Sequence, residues 1–225
     1  MDQELREAWT ELTGQGAPFE IEEVEVRGQR LRAFANAPRS LREVWLSGAA
    51  QADRDAFVFG SERWTYAEAQ AEVAAIACAF RDRGLVAGDR IAIAMRNYPE
   101  WMLSYWAAVS TGLTVSGMNA WWTGPEMTFA IEDSAPKLLI CDAERLNTWL
   151  PHRKTRADMQ IVTVRGDGSL PERVEEWSHF KAKGGSLPEV DVDPDSDACI
   201  FYTSGTTGRP KGAQLTHRGC ANNLM

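Results

Sequence analysis

The sequence predicts an α/β protein, a layered parallel sheet with flanking helices. Two observations predict it. Short, almost wholly apolar runs recur along the chain, among them "RIAIAM" (90–95), "KLLIC" (137–141), "IVTV" (161–164) and "ACIFYTS" (198–204). Strands covered on both faces read as such runs rather than as alternation. Between several of them stand longer segments with helix-start residues, so that strand and helix alternate, which is the pattern of a parallel sheet with crossover helices.

Each element has a local reason. Residues 1–13 form a short charged surface helix. "EVEVRGQRLRAF" (23–34) alternates with period two around Gly28, so Ile21–Arg27 and Gln29–Phe34 read as a hairpin. Ser40 caps a helix through about Ala52. "AFVFG" and "RWTY" are two short strands about the turn at Gly60–Glu62. Thr65 and Glu68 make a capping box, a hydroxyl at the cap and a carboxylate three residues later, and the Ala-rich helix behind it runs to Gly84. "GDRIAIAM" (88–95) is a buried-type strand. Asn97 and Pro99 open an apolar helix closed by Gly112. "LTVSG" is the next strand, and Thr123–Gly124–Pro125–Glu126 starts another helix. The stretch from "RGDGSLP" to "KGGSLPEVDVDPDSD", rich in Gly, Pro and Asp, reads as a surface excursion before the final strand at 198–204.

Composition narrows the partners. The 225 residues can bury a sizeable core, and 44% hydrophobic with 25% charged residues is ordinary for a globular protein. A net charge of −8 disfavours nucleic acid and anionic membrane, since phosphate backbones are bound by basic surfaces. A small anionic ligand needs only a local positive site. Cys78, Cys141, Cys199 and Cys220 lack CxxC spacing and read as buried free thiols of a reducing compartment. His152, His179 and His217 make no metal-type pair with them. The charged start "MDQELREAWTELTGQG" is neither signal peptide nor anchor, and no apolar run approaches the ~20 residues that span a bilayer, so the cytoplasm is the expected location.

The chemistry concentrates at the end, in "YTSGTTGRPKG" (202–212). No G-x-x-x-x-G-K-[ST] can be laid over it, because Pro210 falls where the second glycine belongs, and no G-x-G-x-x-G occurs anywhere. The residue types still suit phosphate. Gly205 and Gly208 let backbone N–H groups turn toward an anion, Ser204, Thr206 and Thr207 offer hydroxyls, and Lys211 offers a mobile ammonium. The same composition also makes a solvated linker.

The order of these residues resembles the signature of the AMP-forming adenylate synthetases, the superfamily of acyl-CoA synthetases, luciferases and peptide-synthetase adenylation domains. The likeness is unbroken from Tyr202 to Gly212. Residues 63–141 are similar to the same family's first half, with its Thr-Tyr-x-Glu helix start, its Gly-Asp-Arg before a buried strand and its Asn-x-Pro-Glu helix start. The resemblance implies that Thr203, Ser204, Gly205, Thr206, Thr207, Gly208 and Lys211 surround the triphosphate of ATP. It implies Thr203 as a hydroxyl ligand to Mg²⁺ and Lys211 as catalytic partner of the outgoing pyrophosphate. Arg209 falls at a variable position and reads as a solvated charge, Tyr202 as packing at the strand end. His217 and Asn222 read as cap and surface residues of the next helix.

The implied reaction has two steps. A carboxylate attacks the α-phosphorus of ATP, and a thiol, usually that of coenzyme A, then displaces AMP. "GMNAWWTGPEM" (117–127) looks most like the fatty acyl-CoA synthetase branch. Trp121–Trp122 read as core or subunit-contact residues rather than as an acyl-contacting surface, and a homodimer is among the expected partners. Aryl-CoA ligases and peptide-synthetase domains stay open, as does a short non-catalytic phosphate-binding module. The expected division is an N-terminal helix and hairpin extension (1–39) and the N-terminal portion of the AMP-binding domain (40–225). The family's second magnesium ligand, ribose carboxylate and C-terminal lysine do not occur here, so the chain is expected to be inactive alone and to correspond to a fragment. Its last strand, 198–204, is expected to lack neighbours and expose an apolar edge.

Overall fold

The computed structural model describes residues 3–153, 159–166, 168–182, 184–203 and 210–225. Helix α1 (Gln3–Thr13) buries no residue and shows Leu5, Trp9 and Leu12 to solvent. Strands β1 (Ile21–Val26) and β2 (Gln29–Phe34) form the expected hairpin. Its turn places both Arg27 (φ 50°) and Gly28 (φ 79°) in the left-handed region, which matches the right-handed twist of paired strands. The hairpin is tied to the end of the chain: Arg27 pairs with Asp197 at 2.7 Å, and the Phe34 N–H donates to Asn222 Oδ1 at 2.6 Å.

Ser40 caps α2 (Leu41–Ser47), its hydroxyl accepting from the Glu43 N–H. This helix stops earlier than expected and passes into a 3₁₀ turn, Gly48–Gln51. A second hairpin follows, β3 (Asp55–Phe59) with β4 (Glu62–Thr65). The Thr65/Glu68 capping box is formed in full and starts α3 (Tyr66–Asp82). Next come β5 (Arg90–Ala94), α4 (Pro99–Ser110), β6 (Thr114–Gly117) and α5 (Gly124–Ser134), the last begun by a second capping box from Thr123 and Glu126. Strand β7 (Leu138–Asp142) leads into α6 (Ala143–Trp149), and β8 (Gln160–Val164) follows.

The surface excursion is more ordered than its composition suggests. It contains β9 (Val174–Glu176), paired in parallel with β8, and one turn of helix, α7 (Trp177–Phe180). Phe180 is buried against Phe80 and carries the Arg83 guanidinium over its ring, so one aromatic anchors an otherwise polar stretch. The chain closes with β10 (Asp197–Thr203), β11 (Lys211–Thr216) and α8 (His217–Asn222).

Seven strands form the main sheet in the order β11-β10-β6-β5-β7-β8-β9, every pair parallel except β10–β11. Alternate residues of the central strands feed two separate cores. Ile91, Ile93, Leu138, Ile140, Val162 and Val164 pack on the face covered by α3 and α4. Ala92, Ala94, Leu139, Cys141 and Ile161 pack on the face covered by α5 and α6. The layered α/β fold is therefore as the sequence predicts. The expected bare edge at 198–204 is not: β10 has β6 on one side and β11 on the other, and the edge strand is β11. All four cysteines are free, with Cys78, Cys141 and Cys199 buried and Cys220 partly so.

Candidate functional site

Because β5, β6, β7, β8 and β10 run parallel, their carboxyl ends meet at one edge of the sheet. From β5 the chain goes to β6 on one side and returns to β7 on the other, so the order reverses beside β5. The crevice outside such a reversal is where open α/β sheets bind ligands.

Thr203, the last residue of β10, faces Lys211, the first residue of β11, as its register partner. Both are exposed, and Lys211 has no ion-pair partner among the described residues. The two ends of the Ser/Thr/Gly segment are thus clamped together by an antiparallel ladder. Ser204, Gly205, Thr206, Thr207, Gly208 and Arg209 lie outside the described residues. Gly212 has a packing reason: a Cβ there would come within 2.8 Å of Ile200 Cγ2 and 3.3 Å of the Tyr202 ring. Gly117 has a similar one, since a Cβ would sit 2.8 Å from the Phe201 ring on the neighbouring strand.

Tyr202 packs as expected. Its ring meets Trp122 edge-on at 5.5 Å, and its hydroxyl donates to Asp133 at 2.8 Å. Burial, then the hydrogen bond to Asp133, hold its pKa well above the usual phenol range, so it stays neutral. The two tryptophans, grouped together by the sequence, separate here. Trp122 is core-packed, while Trp121 is 75% exposed with the Arg96 guanidinium 3.8 Å over its ring.

Two polar side chains prove buried, Asp142 at this edge of the sheet and His217 at the opposite one. Asp142, at the end of β7, is buried. It accepts from the Arg96 N–H at 3.0 Å and the Arg145 N–H at 2.8 Å, and pairs with the Arg145 guanidinium at 3.0 Å. Arg145 Nε donates to the Ala120 carbonyl at 2.7 Å, so one ion pair holds the exits of β5, β6 and β7 together. Asp142 is the N-cap of α6, a signal the sequence does contain. His217 is the second. It is fully buried, not a surface cap residue: Thr216 is the cap, and the Leu41 N–H donates to His217 Nδ1 at 3.4 Å. Burial pushes its pKa down to about 4, so it is neutral near pH 7. Asn222 likewise serves the N-terminal hairpin through Phe34 rather than open surface.

No three His, Cys, Asp or Glu side chains come together to hold a metal among the described residues. A magnesium ion here would rest on hydroxyl and ligand oxygens, a set that suits Mg²⁺, which keeps waters and binds through substrate phosphates. The Thr203 hydroxyl and Lys211 ammonium fit that role and the phosphates beside it. No helix among the described residues is long and apolar enough to cross a membrane.

Together these features define an α/β domain whose sheet order reverses beside β5, with Thr203 and Lys211 paired at its carboxyl edge. The family model of the AMP-binding enzyme matches residues 44–225, and the chain belongs to that family. It is 32% identical over 155 residues to a 3-hydroxybenzoate–CoA/4-hydroxybenzoate–CoA ligase of Thauera aromatica, covering 68% of this chain and 30% of that one. It is 33% identical over 171 residues to a 3-hydroxybenzoate–CoA ligase of Aromatoleum sp. (strain CIB), covering 75% of this chain and 32% of that one. The chain thus spans about a third of the length of these curated relatives. Among solved structures, the anthranilate CoA ligase AuaEII in complex with anthranoyl-AMP matches at TM-score 0.71 and 20% identity, over 80% of this chain and 35% of that one. A putative long-chain-fatty-acid CoA ligase from Rhodopseudomonas palustris matches at 0.69 and 22%, over 81% of this chain and 45% of that one. At these identities the structures speak for the fold.

Proposed function

We propose that this chain is the N-terminal portion of an AMP-forming carboxylic acid–CoA ligase, and that the segment joining β10 to β11 holds the phosphates of ATP. The observation that carries the reading is the pairing of Thr203 with Lys211 across β10 and β11 at the carboxyl edge of the sheet. That ladder brings a hydroxyl and an ammonium to either end of a segment rich in N–H and O–H donors. Ser204, Gly205, Thr206, Thr207 and Gly208 would wrap the triphosphate with backbone and hydroxyl donors, and Thr203 would help hold Mg²⁺. The ion would neutralise phosphate charge when bound. Lys211 would stabilise charge on the departing pyrophosphate while the acid's carboxylate attacks the α-phosphorus. Positioning and electrostatics are the main levers for such a transfer. Coenzyme A would then take the acyl group. Within this scheme residues 40–225 are the adenylate-forming part and 1–39 an extension.

For the acid, the names of the relatives favour an aromatic carboxylate over the fatty acid that residues 117–127 suggest, since the curated relatives cited are hydroxybenzoate–CoA ligases. ATP–pyrophosphate exchange across a panel of aromatic and fatty acids, run in a chain of the relatives' length, separates the two.

The decisive variant is Lys211→Ala in that longer chain. Adenylate formation should slow by about 10- to 100-fold, the loss of one charge-assisted contact. Thioester formation from preformed acyl-adenylate should hold its rate, because pyrophosphate has already left. Equal loss in both half-reactions would make Lys211 a structural residue instead. The 225-residue chain alone should bind ATP at roughly millimolar strength at best, since a few loop contacts must offset the ~4 kcal/mol or more of lost rigid-body freedom.

A further inference from the structure

We propose that Cys199 and Cys220 are an oxidation site that closes to an intramolecular disulfide when the protein meets a peroxide. The two sulfurs lie 4.0 Å apart, Cys199 in β10 and Cys220 in α8. A disulfide needs about 2.05 Å, so the remaining gap of about 2 Å is within reach of side-chain rotation. No other cysteine has this setting. Cys78 Sγ turns to the Ser186 carbonyl at 3.4 Å, and Cys141 is wholly buried in the second core. The pair therefore carries two internal controls in the same chain.

The two thiols are also unequal in the way an attacking and a resolving cysteine must be. Cys199 is buried and Cys220 only partly so, and a reactive thiol must be reached from solvent. The hydrogen bond between them lowers the Cys220 pKa and raises that of Cys199, as when Cys199 S–H donates to a Cys220 thiolate. The Cys220 thiolate attacks one peroxide oxygen, the O–O bond breaks, and hydroxide leaves to become water, giving a sulfenic acid. The Cys199 sulfur then attacks the Cys220 sulfur. The S–O bond breaks, a second water leaves with the Cys199 proton, and the disulfide is formed. Two electrons pass from the thiols to the peroxide.

Cys199 stands four residues before Thr203, and Cys220 lies beyond β11, so the bond would enclose the whole segment from β10 to α8 in a covalent ring. This inference does not depend on the proposed ligase activity, and its test needs no activity.

The 225-residue chain is treated with hydrogen peroxide at neutral pH, blocked with an alkylating reagent under denaturing conditions, and digested with trypsin. Cleavage after Lys183, Lys211 and Arg218 separates Cys199 (peptide 184–211) from Cys220 (peptide 219–225). The expected result is these two peptides joined, lighter by two hydrogens and released by reductant, with Cys78 and Cys141 alkylated. The link should vanish in Cys220→Ser and persist in Cys78→Ser. Joined peptides from two different chains, a link involving Cys78 or Cys141, or Cys220 carried to sulfinic acid with Cys199 still free would overturn the proposal.

Discussion

In β7 all five residues from Leu138 to Asp142 are buried, whereas in β11 every residue from Lys211 to Leu215 is exposed. The two strands belong to one sheet. β7 is paired on both sides, and its alternate side chains enter two cores, so its apolar run is dictated by burial. β11 is paired only with β10, and what holds it is backbone hydrogen bonding and the glycine that lets Tyr202 lie close. The difference teaches that the interior of this sheet is specified by side-chain hydrophobicity, and its β11 edge by backbone pairing.

That contrast can be broken most directly at the carboxyl end of β7. Asp142→Ala leaves the buried Arg145 guanidinium with only the exposed Glu144 carboxylate at 2.8 Å and strips the Arg96 and Arg145 N–H groups of their acceptor. Loss of one partner of a buried pair typically costs about 3–5 kcal/mol. Urea unfolding measures it, and a double variant with Arg145→Leu should recover part of the loss. A loss under about 1 kcal/mol would mean that solvent reaches the pair.

A cleaner pair compares one residue from each strand. Ile140→Ala, at a fully buried position of β7, should lose about 2–5 kcal/mol by removing methyl groups and leaving a cavity. Gln214→Ala, exposed on β11, should stay within about 0.5 kcal/mol. Similar values for the two in the same urea titration would remove the distinction between interior and edge.

Between these extremes lies His217, directly behind β11. The unfolded histidine takes up a proton near its ordinary pKa of about 6.5, while burial holds the folded one to about 4. The unfolded state therefore binds more protons in this window, so the contribution is fully present above about pH 6.5 and is lost as pH falls toward 4. Its full size is on the order of 3 kcal/mol. His217→Asn keeps an acceptor for the Leu41 N–H but cannot titrate, and it should flatten the stability–pH curve between pH 6.5 and 4. An unchanged curve would show that other groups set it.

Much of the architecture was legible in the sequence because its causes are local. The capping boxes at Thr65 and Thr123, the Ser40 cap, the hairpin turn at Gly28 and the apolar runs of β5 to β8 each act within a few residues or through hydrophobicity alone. They fixed helix starts, strand positions and the layered α/β class. The residues of the phosphate-type segment were equally plain as types.

Tertiary structure alone decided what depends on contacts far apart in the chain. Nothing local marks Lys211–Thr216 as a strand, because its partner, β10, supplies the ladder. Nothing local separates Trp121 from Trp122, since Tyr202, 80 residues on, covers one and leaves the other to Arg96. His217 reads as an ordinary helix-start residue until α2 closes over it, and Phe180 reads as part of a polar loop until Phe80 receives it. A side chain's burial is settled by which distant elements arrive beside it, and the chain records that arrival only in its folded form.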